Sequence, residues 1–367
     1  MAVNTPNESL VQALLTTPTP GTQPDPKPHQ ISESQTKILD KLIEHFSSSD
    51  FKLPTSLPIS SATEESKKPL SDWEKCSLLN REALVRCLKA DKWELERCLK
   101  RVEETIVWRR DWGADTVEIE PQQASAVRAE AETGKMFVLG YDKFARPIVH
   151  MRPRFQNTSI SPMRLQFSFW LIDRAIDLMP LGVESVLLMI DLSGPQESPA
   201  LKQQREFVNI LSAHYCERLG QALVLNMPKL FVWVLRLLKP LIDPITYSKA
   251  IFEQPDPLKS APGEQLDDTL GGTNGFTFDI ESYWPTLMNE CQSRRSQRLA
   301  QWTSTGKKVG SSEWDVNNSN EAEKNEKSTI NNSDSSHSLP PTSTATSSTD
   351  TSNHDQPTST PVTLVIE

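Results

Sequence analysis

The chain of 367 residues contains only five cysteines, and no two of them form a Cys-x-x-Cys pair. An odd number of scattered cysteines is typical of a reducing compartment, so we expect free thiols and a cytoplasmic protein. Cys76, Cys87 and Cys98 each fall in a helical pattern, where a thiol is ordinary core filling. No basic segment followed by an apolar run opens the sequence, and no apolar run reaches the length of a bilayer. Neither a secretory signal nor a membrane span is therefore expected.

The signatures of catalysis and of metal binding are also missing. The Gly-x-Ser-x-Gly pattern is absent, and no phosphate-binding or dinucleotide-binding glycine pattern follows a predicted strand. His150 and His214 are far apart in sequence, and neither has metal-ligand spacing to another His or Cys. Asp191 ends an apolar strand, where active residues often sit, but it also suits the cap of a turn. We therefore predict a binding protein with no catalytic residue, metal or cofactor.

Basic residues do not gather into a block anywhere in the chain. The net charge is −9, and the segment from Trp302 to the end, with four Lys and nine Asp or Glu, carries −5 of it. The remaining body is only mildly acidic. Because nucleic-acid binding needs a basic footprint, we expect no nucleic-acid partner.

Composition divides the chain into four regions. Residues 1–70 are rich in Pro, Ser, Thr and Gln and are predicted to be largely disordered, apart from a short amphipathic helix at 35–46. Residues 71–115 form a helical lobe that begins at a capping box, Ser71 with Glu74, and ends at Gly113. Residues 116–298 alternate short apolar runs with helices, and the Ser/Thr-rich tail 303–367 is predicted to be disordered.

The third region predicts an α/β fold. The runs 136–139 and 148–151 look like paired strands, whereas 186–190 is an unbroken apolar run typical of a central strand covered on both faces. A polar helix follows, and then a further strand at 222–225. Strands that alternate with helices favour a mostly parallel sheet with right-handed crossovers.

The run 229–239 is bracketed by Pro228 and Pro240 and predicts a helix of about three turns. Its apolar side chains point in several directions: Phe231, Trp233, Val234, Leu237 and Leu238. It is too short and too charged to span a bilayer. Two interpretations remain, a lid over an apolar cavity and an ordinary core helix.

Several separated motifs carry a resemblance. Residues 84–93, followed by Trp108-Arg109-Arg110, resemble the helical N-terminal region of the CRAL-TRIO lipid-binding family. Residues 215–220 (Tyr-Cys-Glu-Arg-Leu-Gly), 239–244 and 246–249 resemble the fungal phosphatidylinositol transfer proteins of that family. Residues 142–151 and 281–285 fit the branch linked to pleiotropic azole resistance. The resemblance covers about 71–295. It implies a helical lobe on an α/β domain whose sheet floors an apolar lipid cavity, closed by an amphipathic gate helix.

The resemblance also implies a lipid head-group site. In the family, a Glu and a Thr-x-x-Lys set hold the inositol ring; these match Glu217, Thr246 and Lys249. A carboxylate accepts from ring hydroxyls, and an ammonium donates to a phosphate or a hydroxyl. A lysine of the helical lobe matches Lys92, but its neighbour is Asp91 where a basic residue is usual, and Asp91 cannot donate to a phosphate. The alternative is that Glu217 and Lys249 only pair with each other or with Arg218.

A second departure concerns phosphatidylcholine. The Ser and Thr that meet choline lipids in the family align with Val186 and Leu188, and a Tyr aligns near Val149. Apolar walls leave a zwitterionic head group unpaired, at about 1–3 kcal/mol per lost contact. We therefore expect phosphatidylcholine binding to be lost, and a sterol is left open as a second ligand.

The implied function is transfer of phosphatidylinositol between membranes, with links to lipid and sterol homeostasis and to azole tolerance. The alternatives are a lipid-sensing regulatory scaffold and a lipid-modifying enzyme. The implied partners are phosphatidylinositol, membrane surfaces in transient contact, and lipid kinases. We expect a monomer in the cytoplasm, with peripheral association to endoplasmic reticulum, lipid droplets or plasma membrane.

Overall fold

A computed structural model describes residues 6–21, 28–115, 121–195, 201–228, 247–252 and 255–314. All of them belong to the first of the two units into which the chain divides, Met1–Ser319; the second is Asn320–Glu367. The predicted gate helix 229–239 and Thr246 lie outside the described residues.

The N-terminal third is helical and carries one short hairpin-like pair of strands. Its elements are α1 Pro6–Thr16, α2 Glu33–Ser47, β1 Lys52–Pro54, β2 Lys67–Pro69, α3 Asp72–Leu78, α4 Arg81–Ala90 and α5 Leu95–Trp112. The predicted capping box is present, since the Ser71 N–H donates to Glu74 Oε2 (2.7 Å) and the Glu74 N–H donates to Ser71 Oγ (3.1 Å). Gly113 ends α5 with φ 64°, a left-handed conformation that glycine adopts without strain.

A five-stranded sheet forms the centre of the α/β region. Its strands are β3 Met136–Tyr141, β4 Pro147–Met151, β5 Val186–Asp191, β6 Leu219–Leu225 and β7 Ala250–Ile251, side by side in that order. β3 runs antiparallel to β4, and the pairs β4–β5, β5–β6 and β6–β7 are parallel. The predicted α/β class with a mostly parallel sheet is confirmed.

The remaining regular elements of the described residues are helices and short 3₁₀ turns. They are α6 Pro121–Ala131, α7 Pro162–Asp177, α8 Leu201–His214, α9 Pro257–Ser260 and α10 Ile280–Ser304, with 3₁₀ turns at Ile59–Ser61, Glu64–Ser66, Pro153–Phe155, Gly263–Gln265 and Asp268–Leu270. Because side chains alternate along a strand, β5 divides its residues between two cores. Val186 and Leu188 join the larger cluster with α1, α7 and α10, whereas Leu187 and Met189 join a smaller cluster on the other face.

The prediction that residues 1–70 are largely disordered is wrong for 6–21 and 28–70. On α1, Val11, Leu14 and Leu15 lie one turn apart and are buried against β3 and α10. α2 begins with a capping box at Ser32 and buries three apolar side chains against α4 and α5. The flanking Pro and Thr lower the average hydrophobicity of this region, but a single apolar stripe is enough to dock a helix.

The prediction of a disordered tail from 303 is wrong up to residue 314. α10 continues to Ser304, and the following segment 305–314 lies on the helical lobe. Gly310 N–H donates to Leu79 O (2.8 Å), Arg81 N–H donates to Ser311 O (3.1 Å), and Ser312 Oγ–H donates to the Glu82 carboxylate (2.6 Å). Backbone groups at the start of α4 lack partners within the helix, and the segment 305–314 supplies partners for them. Amino-acid composition gives no sign of such bonds.

Candidate functional site

Glu217 and Lys249, 32 positions apart in sequence, lie together at one edge of the sheet. Glu217 is two residues before β6 and Lys249 is one residue before β7. Because β6 and β7 are parallel neighbours, the residues that precede them meet at the same edge. Lys249 Nζ is 3.1 Å from Glu217 Oε2, with side chains 24% and 38% exposed. The two predicted head-group residues are therefore brought together as an ion pair and remain accessible.

Contacts of Tyr215 and Arg218 fix the segment that carries Glu217. Tyr215 is buried, stacks on Phe169 (5.2 Å between ring centroids), and its hydroxyl donates to Asp173 Oδ1 (3.1 Å). Arg218 donates from Nη1 to the Glu184 carbonyl at 2.9 Å. Tyr215 and Cys216 are buried, whereas Glu217 is exposed and has φ 56°, a left-handed conformation that is strained for most residues other than glycine.

Residues of the helical lobe also contact this segment. His214 stacks on Trp108 of α5, with ring centroids 4.4 Å apart, and its Nδ1 lies 3.0 Å from Thr105 Oγ1. Burial and then the charges of Arg101 and Arg109 lower the pKa of His214 to about 4. The imidazole is therefore neutral at pH 7 and packs against the Trp108 ring.

Asp91 is buried near the same segment and is bonded to an arginine. It is 1% exposed and accepts two bonds from Arg101, at 2.7 and 2.9 Å. Arg101 in turn donates to the carbonyls of Ser212 and Ala213 at the end of α8, each at 2.9 Å. The sequence analysis missed Arg101, although an Arg ten residues after a buried Asp, in the second turn of the next helix, is a signal for such a pair.

Lys92, also predicted to contact the head group, has no contact with Glu217 or Lys249 among the described residues. Its side chain is exposed, and its backbone has φ 55° in the turn between α4 and α5. No side-chain bond ties it to another residue in the part of the chain that the structure describes. Its role at a phosphate stays a prediction.

The positions aligned with the choline-binding hydroxyls form one apolar patch. Val149 pairs directly with Leu188, and Leu188 pairs with Ala222, so the three side chains lie in a row across β4, β5 and β6. Val186 precedes them on the same face, and all four are less than 7% exposed. α7 packs on the β3–β4 half of this face, and Leu188 and Ala222 continue the apolar surface across β5 and β6.

Asp191, at the end of β5, orders the turn that follows. It accepts hydrogen bonds from Arg154, from Asn226 (2.9 Å), and from both the N–H and the hydroxyl of Ser193 (3.0 Å each). Burial opposes its charge, but the donors outweigh burial and hold the pKa of Asp191 below its ordinary value. This supports the interpretation of Asp191 as a turn cap. Across the described residues, no three His, Cys, Asp or Glu side chains come together as metal ligands would.

Comparison with known proteins agrees with this architecture. The CRAL/TRIO domain profile matches residues 131–272, which include the whole five-stranded sheet and the Glu217–Lys249 pair. The phosphatidylinositol transfer protein PDR17 of Saccharomyces cerevisiae is 34% identical over 297 residues, which is 78% of this chain and 84% of PDR17. The chain belongs to the CRAL-TRIO family.

Two other proteins show the range of the similarity. A CRAL-TRIO domain-containing protein of Schizosaccharomyces pombe is 41% identical over 65% of this chain, but the chain spans only 23% of that protein's length. The crystal structure of Sfh5 superposes with a TM-score of 0.46 at 15% identity, covering 70% of this chain and 92% of that chain. Within the described ranges, no helix combines the length and the apolar composition needed to cross a membrane.

Proposed function

We propose that this chain is a phosphatidylinositol transfer protein that binds one lipid and exchanges it between membranes. The observation that carries the proposal is the accessible Glu217–Lys249 pair at the edge of an apolar sheet face. A carboxylate and an ammonium side by side can accept from inositol hydroxyls and donate to the phosphate. The similarity to PDR17, named as a phosphatidylinositol transfer protein, supports the same ligand class.

The energetics assign lipid choice to the head group. An acyl chain of about 16 carbons gains roughly 12 kcal/mol on leaving water, at about 0.8 kcal/mol per methylene. The bilayer supplies nearly the same gain, so the chains contribute little to the preference between protein and membrane. We propose that Glu217 and Lys249, with Thr246 and Lys92, decide which lipid is carried.

The apolar row across the sheet determines whether phosphatidylcholine can bind. Val149, Val186 and Leu188 offer no hydroxyl to a choline head group. Burying a phosphocholine beside them would leave its polar atoms without partners. We propose that phosphatidylcholine is therefore a poor ligand, and that the same apolar wall admits a sterol.

Exchange requires the cavity to open, and we propose that the 229–239 helix is the gate. Phe231, Trp233, Val234, Leu237 and Leu238 would cover the cavity in the closed state and enter the membrane interface in the open state, because both surroundings suit apolar side chains. Lys229, Arg236 and Lys239 would meet anionic head groups there, at about 1 kcal/mol each.

The proposal is a monomer without enzymatic activity that visits membranes transiently and supplies lipid to kinases. The peripheral association with endoplasmic reticulum, lipid droplets or plasma membrane remains part of the proposal.

Head-group variants test the proposal. Glu217→Gln keeps the size of the side chain, Lys249→Gln shortens it slightly, and each removes one charge-assisted contact, worth about 1.5–3 kcal/mol or roughly 10- to 100-fold in affinity. We expect each to lower phosphatidylinositol transfer between vesicles by that factor, with an unchanged melting temperature.

The exposed ion pair Arg128–Glu281 (2.8 Å) supplies a matched control, since Glu281→Gln breaks a comparable pair in another part of the molecule. Glu281→Gln should transfer lipid as the wild type does. Wild-type rates in both Glu217→Gln and Lys249→Gln would show that the head group binds elsewhere.

A further inference from the structure

A polar cavity of about 510 Å³ lies beneath the segment 214–218, between the helical lobe and α10. Cys216 and Arg218 line it from this segment, Arg86 and Cys87 line it from α4, and Arg298 lines it from α10. Glu217 and Lys249 are not among its lining residues. The cavity therefore faces the inner side of the segment whose outer side carries the head-group pair.

Most arginines around the cavity are neutralised by a carboxylate. These pairs are Arg86 with Glu184 (2.9 Å), Arg109 with Asp173 (2.8 Å), Arg294 with Glu290 (2.5 Å) and Arg295 with Asp177 (2.7 Å). Such pairing is the rule for buried charges, because an isolated buried cation is costly.

Two arginines depart from this rule. Within the described residues, the Arg218 guanidinium donates to the Glu184 carbonyl (2.9 Å) and to the Met179 sulfur (3.6 Å), and it forms no ion pair. The carboxylate oxygen nearest to the Arg298 guanidinium is Asp177 Oδ1 at 4.0 Å, and Asp177 is already shared with Arg295.

The two cations also act on each other. Burial, and then the charges of Arg86 and Arg298, lower the pKa of Arg218 to about 9, although Glu313 and Glu184 oppose the effect. Arginines and carboxylates line the cavity in equal number, so Arg218 and Arg298 lack a close partner and not a balance of charge. A bound anion would supply that partner, and the guanidinium forks suit the paired oxygens of a phosphate.

We propose that this cavity is a second ligand site, in which Arg218 and Arg298 bind the phosphate group of a small soluble anion, inorganic phosphate or a phosphate monoester. A volume of about 510 Å³ accommodates a phosphate with a small organic group attached. The anion would join α10 to the segment that carries Glu217. The site thus lies beside the proposed lipid head group without sharing its residues.

Calorimetric titration of the full-length protein with sodium phosphate tests the proposal, with ionic strength held constant by sodium chloride. The wild type should show saturable binding that chloride alone does not give. Arg218→Gln and Arg298→Gln should each weaken the affinity at least tenfold, and Arg218→Lys should retain part of it. Arg128→Gln, at an exposed position, is the matched control and should bind phosphate as the wild type does.

Arg218 also supports the Glu184 loop, so Arg218→Gln has a second effect on folding. Arg298 is partly exposed on α10, and Arg298→Gln alone decides the matter if the other variant does not fold. No saturable binding by the wild type, or equal binding by Arg298→Gln, would overturn the site.

A further comparison distinguishes soluble phosphate from a lipid head group. Protein loaded with phosphatidylinositol from vesicles should still bind inorganic phosphate, as should Glu217→Gln and Lys249→Gln. If lipid loading abolishes the titration, or both variants lose it, the phosphate occupies the head-group site and the second site is disproved. Normal phosphate binding together with unimpaired lipid transfer by those variants would instead refute only the proposed head-group contacts.

Discussion

The left-handed backbone of Glu217 costs more free energy than its ion pair with Lys249 contributes. A left-handed φ costs a non-glycine residue roughly 1–2 kcal/mol, whereas an exposed ion pair contributes about 0–1 kcal/mol. Strained residues of this kind cluster at binding sites, where ligand contacts depend on the strained geometry. The conformation of Glu217 is therefore consistent with its proposed role in ligand binding.

This argument predicts opposite effects of one substitution on stability and transfer. Glu217→Gly relieves the left-handed strain and adds chain entropy to the unfolded state, so the free energy of unfolding should stay equal or rise by up to about 1 kcal/mol. Phosphatidylinositol transfer should fall as it does in Glu217→Gln. Urea denaturation and vesicle transfer assays measure the two effects. A clear loss of stability would assign Glu217 a structural role.

The apolar row on β5 makes a prediction about lipid choice. Val186→Ser with Leu188→Thr restores hydroxyls on the face that continues across β4 and β6. Phosphatidylcholine loading should rise, at a cost of about 1–3 kcal/mol for each hydroxyl left unpaired. Mass spectrometry of lipids retained by the purified protein gives the answer.

Leu187→Thr, on the same strand but the opposite face, is the control for this double variant. It should lose stability without gaining phosphatidylcholine. If the double variant also gains none, the alignment of β5 with the choline-binding strand is wrong.

At the scale of elements, the sequence predicted features that depend on neighbouring residues, but it did not predict which segments pack on distant surfaces. The Ser71–Glu74 capping box, the Gly113 stop and the unbroken apolar run of β5 each express their structure within a few residues, and the structure has all three. α1 and the segment 305–314 are stabilised by surfaces far away in sequence. The regions that contain them are polar on average, so a composition argument assigned both to disorder.

The docking of α1 can be tested directly. Leu15 is 1% exposed within the largest apolar cluster, so Leu15→Ala should lower the free energy of unfolding by about 2–4 kcal/mol. Ser9→Ala, on the exposed face of the same helix, should change it little. Urea denaturation of the full-length chain compares the two. Equal stabilities would mean that α1 contributes nothing to the core.

At the scale of the whole molecule, strand order decides which distant residues meet. The resemblance proposed Glu217 and Lys249 as partners, but only the parallel β6–β7 pairing explains why residues 32 positions apart lie 3.1 Å from each other. The sequence offered no comparable signal for the cavity at Arg218, because its charges come from four separate elements. The gate helix and Thr246 stay predictions, since they lie outside the described residues.

The buried histidine of the sheet gives the fold a pH dependence. His150 is 4% exposed on β4, stacks on Phe137 (4.5 Å between centroids), and its Nε2 lies 3.0 Å from the Leu139 carbonyl oxygen. Burial lowers the pKa of His150 to about 4. The unfolded chain therefore takes up a proton near pH 6.5, and the folded protein does not until about pH 4. The free energy of unfolding consequently falls as pH decreases through this window.

His150 alone should make the free energy of unfolding about 2 kcal/mol lower at pH 5 than at pH 7.5. Asp177 works in the opposite direction, because burial raises its pKa to about 6 and the folded state binds that proton more readily. A variant isolates the histidine, since the Asp177 contribution cancels in the comparison. His150→Phe keeps the ring stacking and removes the titration, so its loss of stability between pH 7.5 and pH 5 should be smaller than that of the wild type by about 2 kcal/mol. Urea denaturation at the two pH values measures both losses, and equal losses would show that His150 takes up its proton in the folded state as easily as in the unfolded chain.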